Sequence, residues 1–337
     1  MVLITEEMLK QFQTMMEKID EPLKITYQNI HQGYPAATLR RFLKARDGNV
    51  SKAHKMLTDC LNWRVQNEID NILAKPIIPS DLYRAIRDSQ LVGMSGYSKE
   101  GLPVISIGAG LTTFDKASIH YYVQSHIQMN EYRDRVILPA ATKKYGRHIS
   151  TCIKVFDMTG LKLSALNQIK LLTVITSIDD LNYPEKTETY FIVNAPYIFS
   201  ACWKVVKPLL HERTRKKVQL LSGCGKDELL KIMDNDSLPH FCKREGSGST
   251  KHSTGERIDN CFSLDHYFHQ QLYSYVKEQA NIQQSDALLK QGSFHVKFPE
   301  SDDAKIAESI ECTLQRLGAQ NGLSNSFHNV IVDGKSS

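Results

Sequence analysis

The chain has 337 residues, 41% of them hydrophobic and 23% charged, enough apolar material for one large domain or two modest ones. Its net charge of +5 is unevenly spread: from residue 245 onward 8 basic residues face 12 acidic ones, which leaves 34 basic against 25 acidic before it, and a basic body points to a polyanionic partner such as a membrane surface, a phosphate headgroup or nucleic acid. The seven cysteines, scattered and without a Cys-x-x-Cys pair, argue against a disulfide framework or a zinc site and for a reducing compartment.

No apolar run reaches the ~18 residues needed to span a bilayer, and the opening Met-Val-Leu-Ile-Thr-Glu-Glu turns acidic before a signal-peptide core forms. Val2 excludes myristoylation and the Lys-Ser-Ser end is no prenylation box, so membrane contact is expected to be peripheral and the protein cytoplasmic.

In chain order, residues 5 to 72 read as helices. Thr38–Arg46 is a basic helix closed by Asp47-Gly48, and Val50–Arg64 sets Ala53, Leu57, Cys60 and Leu61 on one face behind a cap at Asn49 or Ser51. Two prolines mark Lys75–Ser80 as a linker. Strands then alternate with helices: strand Pro103–Ile107, a long helix over Asp115–Lys143, strand Thr151–Asp157, helix Leu163–Leu181, strand Thr189–Asn194, helix Tyr197–Val206, strand Lys217–Leu221 and helix Lys226–Met233. This order predicts βαβ units and a mainly parallel sheet. Glu245–Thr250 is a Gly/Ser linker; beyond it lie a helix over Asp265–Asn281 and an amphipathic candidate over Ala304–Leu317. The domains expected are a helical module (1–75), an α/β domain (80–243), and a linker with an acidic, partly disordered tail (244–337).

Most chemistry-bearing motifs fail on inspection. Ser222-Gly-Cys-Gly-Lys-Asp227 is not a phosphate loop, because residue 220 is Leu and Asp227 stands where Ser or Thr is required. Gly108-Ala-Gly110 lacks the third glycine of a dinucleotide fingerprint, and there is no Gly-x-Ser-x-Gly elbow or His-Glu-x-x-His pair. His240-Phe-Cys242 reads as structural. The run His211-Glu-Arg-Thr-Arg-Lys-Lys217 fits either a solvated helix end or an anion site. It follows an apolar stretch holding Phe199, Trp203 and Val206, which either packs on the sheet or docks, with the adjacent cations, on an anionic membrane.

Over residues 30 to 243 the chain resembles the CRAL-TRIO lipid-binding family, and within it the phosphatidylinositol transfer branch. The resemblance is carried by Leu39-Arg-Arg-Phe-Leu-Lys-Ala-Arg46 with Trp63-Arg64, then Phe156-Asp-Met-Thr-Gly160, Tyr183-Pro-Glu185, Tyr190-Phe-Ile-Val-Asn-Ala-Pro196 and Lys207-Pro208, in the family's order. It implies an α/β fold: a mainly parallel sheet with flanking helices enclosing an apolar lipid pocket, preceded by a small all-helical N-terminal module. It also implies a mobile gate helix at Tyr197–Val206 and a headgroup set at Arg46, Glu185, Lys186, Thr214 and Lys217. Lys186 replaces an arginine of the family pattern, keeping the charge but losing the bidentate fork. The positions that hold a choline lipid are not kept: Ile105, Asn130, Cys152 and Lys154 stand there.

The expected protein is therefore a non-enzymatic, monomeric phospholipid carrier. It has no cofactor, no metal and no nucleic-acid partner; its ligand is a phosphatidylinositol-type lipid, with a second lipid and a lipid kinase as candidate partners. Phe199, Trp203, Val206, Arg213, Arg215 and Lys216 are its expected gate and membrane-docking residues. A carrier of a compact tocopherol- or retinoid-like molecule is the alternative from the same fold, and an α/β enzyme the alternative from another class.

Overall fold

The structure, a computed structural model, describes residues 3–210, 212–243 and 259–283. The chain begins with four helices, α1 (Glu6–Met16), α2 (Glu21–His31), α3 (Pro35–Ala45) and α4 (Val50–Gln66). Their starts have local causes. The Thr5 hydroxyl accepts from the Met8 N–H at 3.2 Å, the Asn49 side chain accepts from the Lys52 N–H at 2.9 Å, and α2 and α3 carry Pro in their first turns. Helix α3 stops where Asp47 and Gly48 enter the left-handed region, at φ 52° and 77°. Phe12, Leu39, Phe42, Leu43, Leu57 and Leu61 fill the module's core, each worth roughly 1.5–3 kcal/mol of transfer free energy.

A 3-10 turn (Ile69–Ala74) and α5 (Ser80–Ser89) lead into the α/β domain: β1 (Val92–Tyr97), β2 (Pro103–Ile107), α6 (Ile119–Tyr132), α7 (Leu138–Tyr145), β3 (Cys152–Asp157), α8 (Ile169–Asn182), β4 (Thr187–Val193), α9 (Phe199–Val206), α10 (Glu212–Lys216), β5 (Val218–Leu220), α11 (Lys226–Leu230) and α12 (His240–Lys243). The strands lie in the order β1-β2-β3-β4-β5. Strands β2 to β5 are parallel and β1 is antiparallel to β2. The α/β class and the mainly parallel sheet expected from the sequence are thus found, with an edge strand the pattern did not announce.

Three further differences have physical reasons. The helix expected from Asp115 starts at Ile119; Asp115 stays in the preceding loop, where its carboxylate accepts from the Thr113 hydroxyl at 2.6 Å. The same helix is interrupted by a π turn at Arg133–Ile137, just ahead of Pro139, whose ring and missing N–H do not fit an unbroken helix. The helix expected from Leu163 opens as a 3-10 segment, Leu163–Gln168, before α8.

The largest correction concerns the C-terminal region. Helix α13 (Tyr267–Gln283) buries Phe268, Leu272 and Val276 in the same core as Ile69, Ile72, Tyr83 and Ile127. A Cβ on Gly93 would stand 1.8 Å from the Cys261 carbonyl oxygen, so the segment before α13 lies directly on β1. Residues 259–283 therefore close the core instead of belonging to a tail. The Gly/Ser linker and the amphipathic candidate over Ala304–Leu317 fall outside the described residues.

Candidate functional site

An apolar cavity of about 330 Å³ lies between the sheet and helices α8 and α9. Strands β2 to β5 supply Ile107, Phe156, Ile192 and Val218; α8 supplies Leu172 and Ile175; α9 supplies Phe199, Trp203 and Val206. The rings of Phe199 and Trp203 stack at 5.8 Å with an interplanar angle of 19°. Phe199, Trp203 and Val206, expected on the gate helix, line this cavity.

A polar cavity of about 200 Å³ adjoins it, the two sharing Lys154, Asp179, Asp180, Tyr190 and Thr214. All five residues expected to hold a headgroup line this polar cavity: Arg46, Glu185, Lys186, Thr214 and Lys217. Arg46 follows the end of α3, the loop between α8 and β4 brings Glu185 and Lys186, and the α10–β5 junction brings Thr214 and Lys217. Glu185 adopts φ 57°, a left-handed conformation uncommon for a side chain beyond Gly and Asn. Its carboxylate accepts from the Lys217 ammonium at 2.7 Å, and the same ammonium donates to the Thr187 carbonyl at 2.9 Å.

Arg213, expected on the outer basic face, turns inward. Its Nε lies 3.2 Å from Glu185, Nη1 donates to Asp47 at 2.8 Å, and Nη2 donates to the Ala45 carbonyl. Arg213 thereby lines the polar cavity and is paired with Asp47 and Glu185. Arg215 is half-buried; Lys216 is exposed and pairs with Glu212 at 2.8 Å.

Two groups were missed in the sequence. The first is centred on Asp179, which sits within 2.7 Å of His126 and 3.4 Å of Lys154 and accepts from Asn130 at 2.8 Å. Burial alone would raise its pKa, but the His126 and Lys154 charges hold it far below the usual carboxylate range. A signal was present: Asp179-Asp180 interrupts an otherwise apolar helix. The second group comes from the π turn. Asp134 lies 2.7 Å from Arg133 and 3.0 Å from Lys186. Burial pushes the Lys186 ammonium down to about 7, and the neighbouring Arg41 adds to that effect. Among the described residues no group of His, Cys, Asp and Glu could hold a metal ion, and no helix is long and apolar enough to cross a membrane.

Residues 6–59 match the CRAL/TRIO N-terminal domain and residues 87–243 the CRAL/TRIO domain, together more than half of the chain. Among curated proteins, the phosphatidylinositol/phosphatidylcholine transfer protein SFH11 of Arabidopsis thaliana is 31% identical over 210 residues, covering 60% of this chain and 55% of that protein. The SEC14 cytosolic factor of Eremothecium gossypii is 27% identical over 210 residues, 60% of this chain and 67% of its own length. The chain spans about half the length or less of the Arabidopsis relatives it matches. The crystal structure of Sfh5 superposes with a TM-score of 0.57 at 18% identity, covering 84% of this chain and all of that one, a likeness of fold. With both domains matched in order and the fold in agreement, this chain belongs to the CRAL-TRIO family.

Proposed function

We propose that this protein holds one phosphatidylinositol-type lipid, with its headgroup in the polar cavity and its acyl chains in the apolar one, and exchanges or presents it at membranes without chemical turnover. The observation that carries this reading is the junction of the two cavities through Lys154, Asp179, Asp180, Tyr190 and Thr214. That junction suits an amphiphile whose chains gain ~0.8 kcal/mol per buried CH₂. Arg46 and Lys217 neutralise the phosphodiester, Thr214 donates to it, and Glu185 accepts from ring hydroxyls. The printed names of the relatives, phosphatidylinositol/phosphatidylcholine transfer proteins, support the same class of ligand. Admission of two acyl chains requires α9, which forms one wall, to swing outward.

Phosphatidylcholine is the weaker ligand in this reading. Ile105 and Cys152 are packed in the core, and Asn130 is tied to Asp179 and Arg133. Lys154 lies 5.8 Å from the Tyr190 ring centroid, occupying an aromatic face that a choline cation would otherwise use. Asp179, one of two neighbouring carboxylates with Asp180, is already committed to three partners.

Membrane docking falls to the outer side of the gate region. Tyr197 is 99% exposed just before α9, and Lys204 and Lys207 are exposed beside it. The deciding experiment is organic extraction of the purified protein with mass spectrometry of the released molecules, paired with a vesicle-to-vesicle transfer assay. A phosphatidylinositol species is expected; recovery of a compact neutral molecule in its place, with no transfer, overturns the reading.

A further inference from the structure

A third cavity, about 340 Å³, lies in the seam between the helical module and the α/β domain. Its wall takes His31, Tyr34 and Arg41 from the module, Lys143 and His148 from α7 and the loop after it, and Lys186 from the loop before β4. The rings of Tyr34 and His148 stack across the seam at 3.7 Å and 16°. Asp134 is the one carboxylate in this wall, and it is already engaged by Arg133 and Lys186.

Arg41 makes no direct ion pair. It is 7% exposed, and its guanidinium donates to the Pro184 carbonyl at 3.1 Å and reaches the Thr38 hydroxyl only at 3.4 Å, both neutral groups, while Asp134 and Glu185 act on it only from a distance. A buried guanidinium without a paired counter-charge is costly, and an anion in contact with it relieves that cost. Arg41 and Lys186 thus face the cavity with Asp134 as the one carboxylate of its wall, and Asp134 also carries Arg133. The surplus positive potential reaches the rim, where partial burial and the charges of Lys186 and Arg41 keep His148 below the ordinary histidine range.

We propose that this seam cavity is a second anion site that takes a phosphomonoester, held by Arg41 and Lys186 at its base and by Lys143 and His148 at its rim. Of these only Lys186 also lines the headgroup cavity. The phosphate has two chemical sources: a free phosphorylated solute, or a monophosphate on the ring of an inositol lipid seated next door. The inference does not depend on the lipid reading, because Lys143 and His148 touch only the seam.

The test uses the full chain and two probes. Inorganic phosphate is titrated while the unfolding temperature is followed, and vesicles of phosphatidylcholine containing either phosphatidylinositol or phosphatidylinositol 4-phosphate are compared for binding. The variants are Lys143→Gln/His148→Gln, at exposed rim positions that leave the fold intact, and Arg41→Lys, which keeps the buried charge but loses the fork; Lys217→Ala serves as a control in the other cavity. Phosphate is expected to stabilise the parent saturably, and each charged contact removed should weaken the apparent affinity about tenfold, the loss of one charge-assisted hydrogen bond. If the rim double variant weakens phosphate binding and leaves both vesicles bound equally, the ligand is the free solute. If it also abolishes a preference for the phosphorylated lipid, the ligand is the ring phosphate. The part of the phosphate stabilisation that Lys143→Gln/His148→Gln removes should persist in Lys217→Ala, whereas phosphatidylinositol transfer should fall in Lys217→Ala and persist in the rim variant, so failure of the lipid reading is told apart from failure of this one. No saturable stabilisation of the parent by phosphate and no preference between vesicles, or equal responses of parent and rim variant to both probes, overturns the proposal.

Discussion

Replacing Lys217 by Ala removes a cation that lines the polar cavity proposed to hold the headgroup. Its ammonium makes two contacts, 2.7 Å to the Glu185 carboxylate and 2.9 Å to the Thr187 carbonyl, and the side chain is 27% exposed. A charge-assisted hydrogen bond to a lipid phosphate in such a partly screened place is worth about 1.5–3 kcal/mol, hence roughly a 10- to 150-fold loss in affinity for phosphatidylinositol. The cost to folding is smaller, because Glu185 keeps Arg213 at 3.2 Å and is not left as a lone buried charge. A penalty of about 1 kcal/mol lowers the unfolding temperature by roughly 1–2 °C in a protein of this size. Fluorescent phosphatidylinositol transfer between vesicles reads the first effect and calorimetry the second. Unchanged transfer by a folded Lys217→Ala protein refutes the assignment of this cavity to the headgroup; an unfolding shift several times larger refutes the claim that Arg213 shields Glu185.

Lys154→Ala should raise phosphatidylcholine transfer severalfold, since Asp179 keeps His126 and Asn130 while the face of Tyr190 is freed; the readout is choline-lipid exchange between vesicles, and efficient exchange by the parent protein sinks the idea. Reversing Lys204 and Lys207 to Glu should weaken sedimentation with anionic vesicles at low salt, each cation near the surface contributing ~1 kcal/mol, with lipid loading intact. Glu131→Gln should destabilise the fold by about 3–5 kcal/mol in urea titration, because Arg64, 3% exposed and 2.7 Å from Glu131, loses its main buried counter-charge. Acid should act in the same direction. Glu131, Asp134 and Asp179 are held below their ordinary values, so the stability they supply is complete above pH ~4 and is lost as pH falls through their native values. An Asp179→Asn protein should show a shallower acid-side decline in unfolding midpoint.

Where a segment's own composition decides its structure, the sequence was informative. The Asn49 cap, the Asp47-Gly48 stop and the strands around Ile105, Val155 and Ile192 all follow from local pattern. Strand β1 escaped notice because Val92-Gly-Met-Ser-Gly-Tyr97 carries two glycines that dilute the strand signal; one of them, Gly93, is required by the close passage of Cys261. Helix α13 was legible as a helix, but its docking on Ile69 and Ile72 is a tertiary fact with no local mark. The residues that line the polar cavity were reached through family resemblance, whereas Arg213 was assigned to the surface because four cations crowd into residues 213 to 217. Only the phase of the short helix α10 decides which of them point inward. Arg41 and Asp134 were invisible for another reason: each lies in an ordinary-looking helical stretch, and their meaning arises from meeting across the seam.

The same meetings give the helical module a part in shaping the polar cavity itself. The loop that carries Glu185 and Lys186 is touched by the module at several successive residues. The Cys60 thiol reaches the Asn182 carbonyl at 3.6 Å, Trp63 packs edge-on to Tyr183 with centroids 6.4 Å apart, and Arg41 donates to the Pro184 carbonyl. Tyr183 is fixed from the far side as well, donating to Glu131 at 2.7 Å while Glu131 holds Arg64 of α4. A loop pinned at 182, 183 and 184 has little freedom left at 185, which is how a side chain comes to be held at positive φ with its carboxylate aimed at Lys217. Across the cavity, Arg213 closes the circuit by bonding Glu185 and, in the module, Asp47 and Ala45. The geometry of the polar cavity is therefore set by contacts between the two domains, and a change in how the module seats on the α/β domain would be felt first at Glu185, before it reached the apolar cavity beyond.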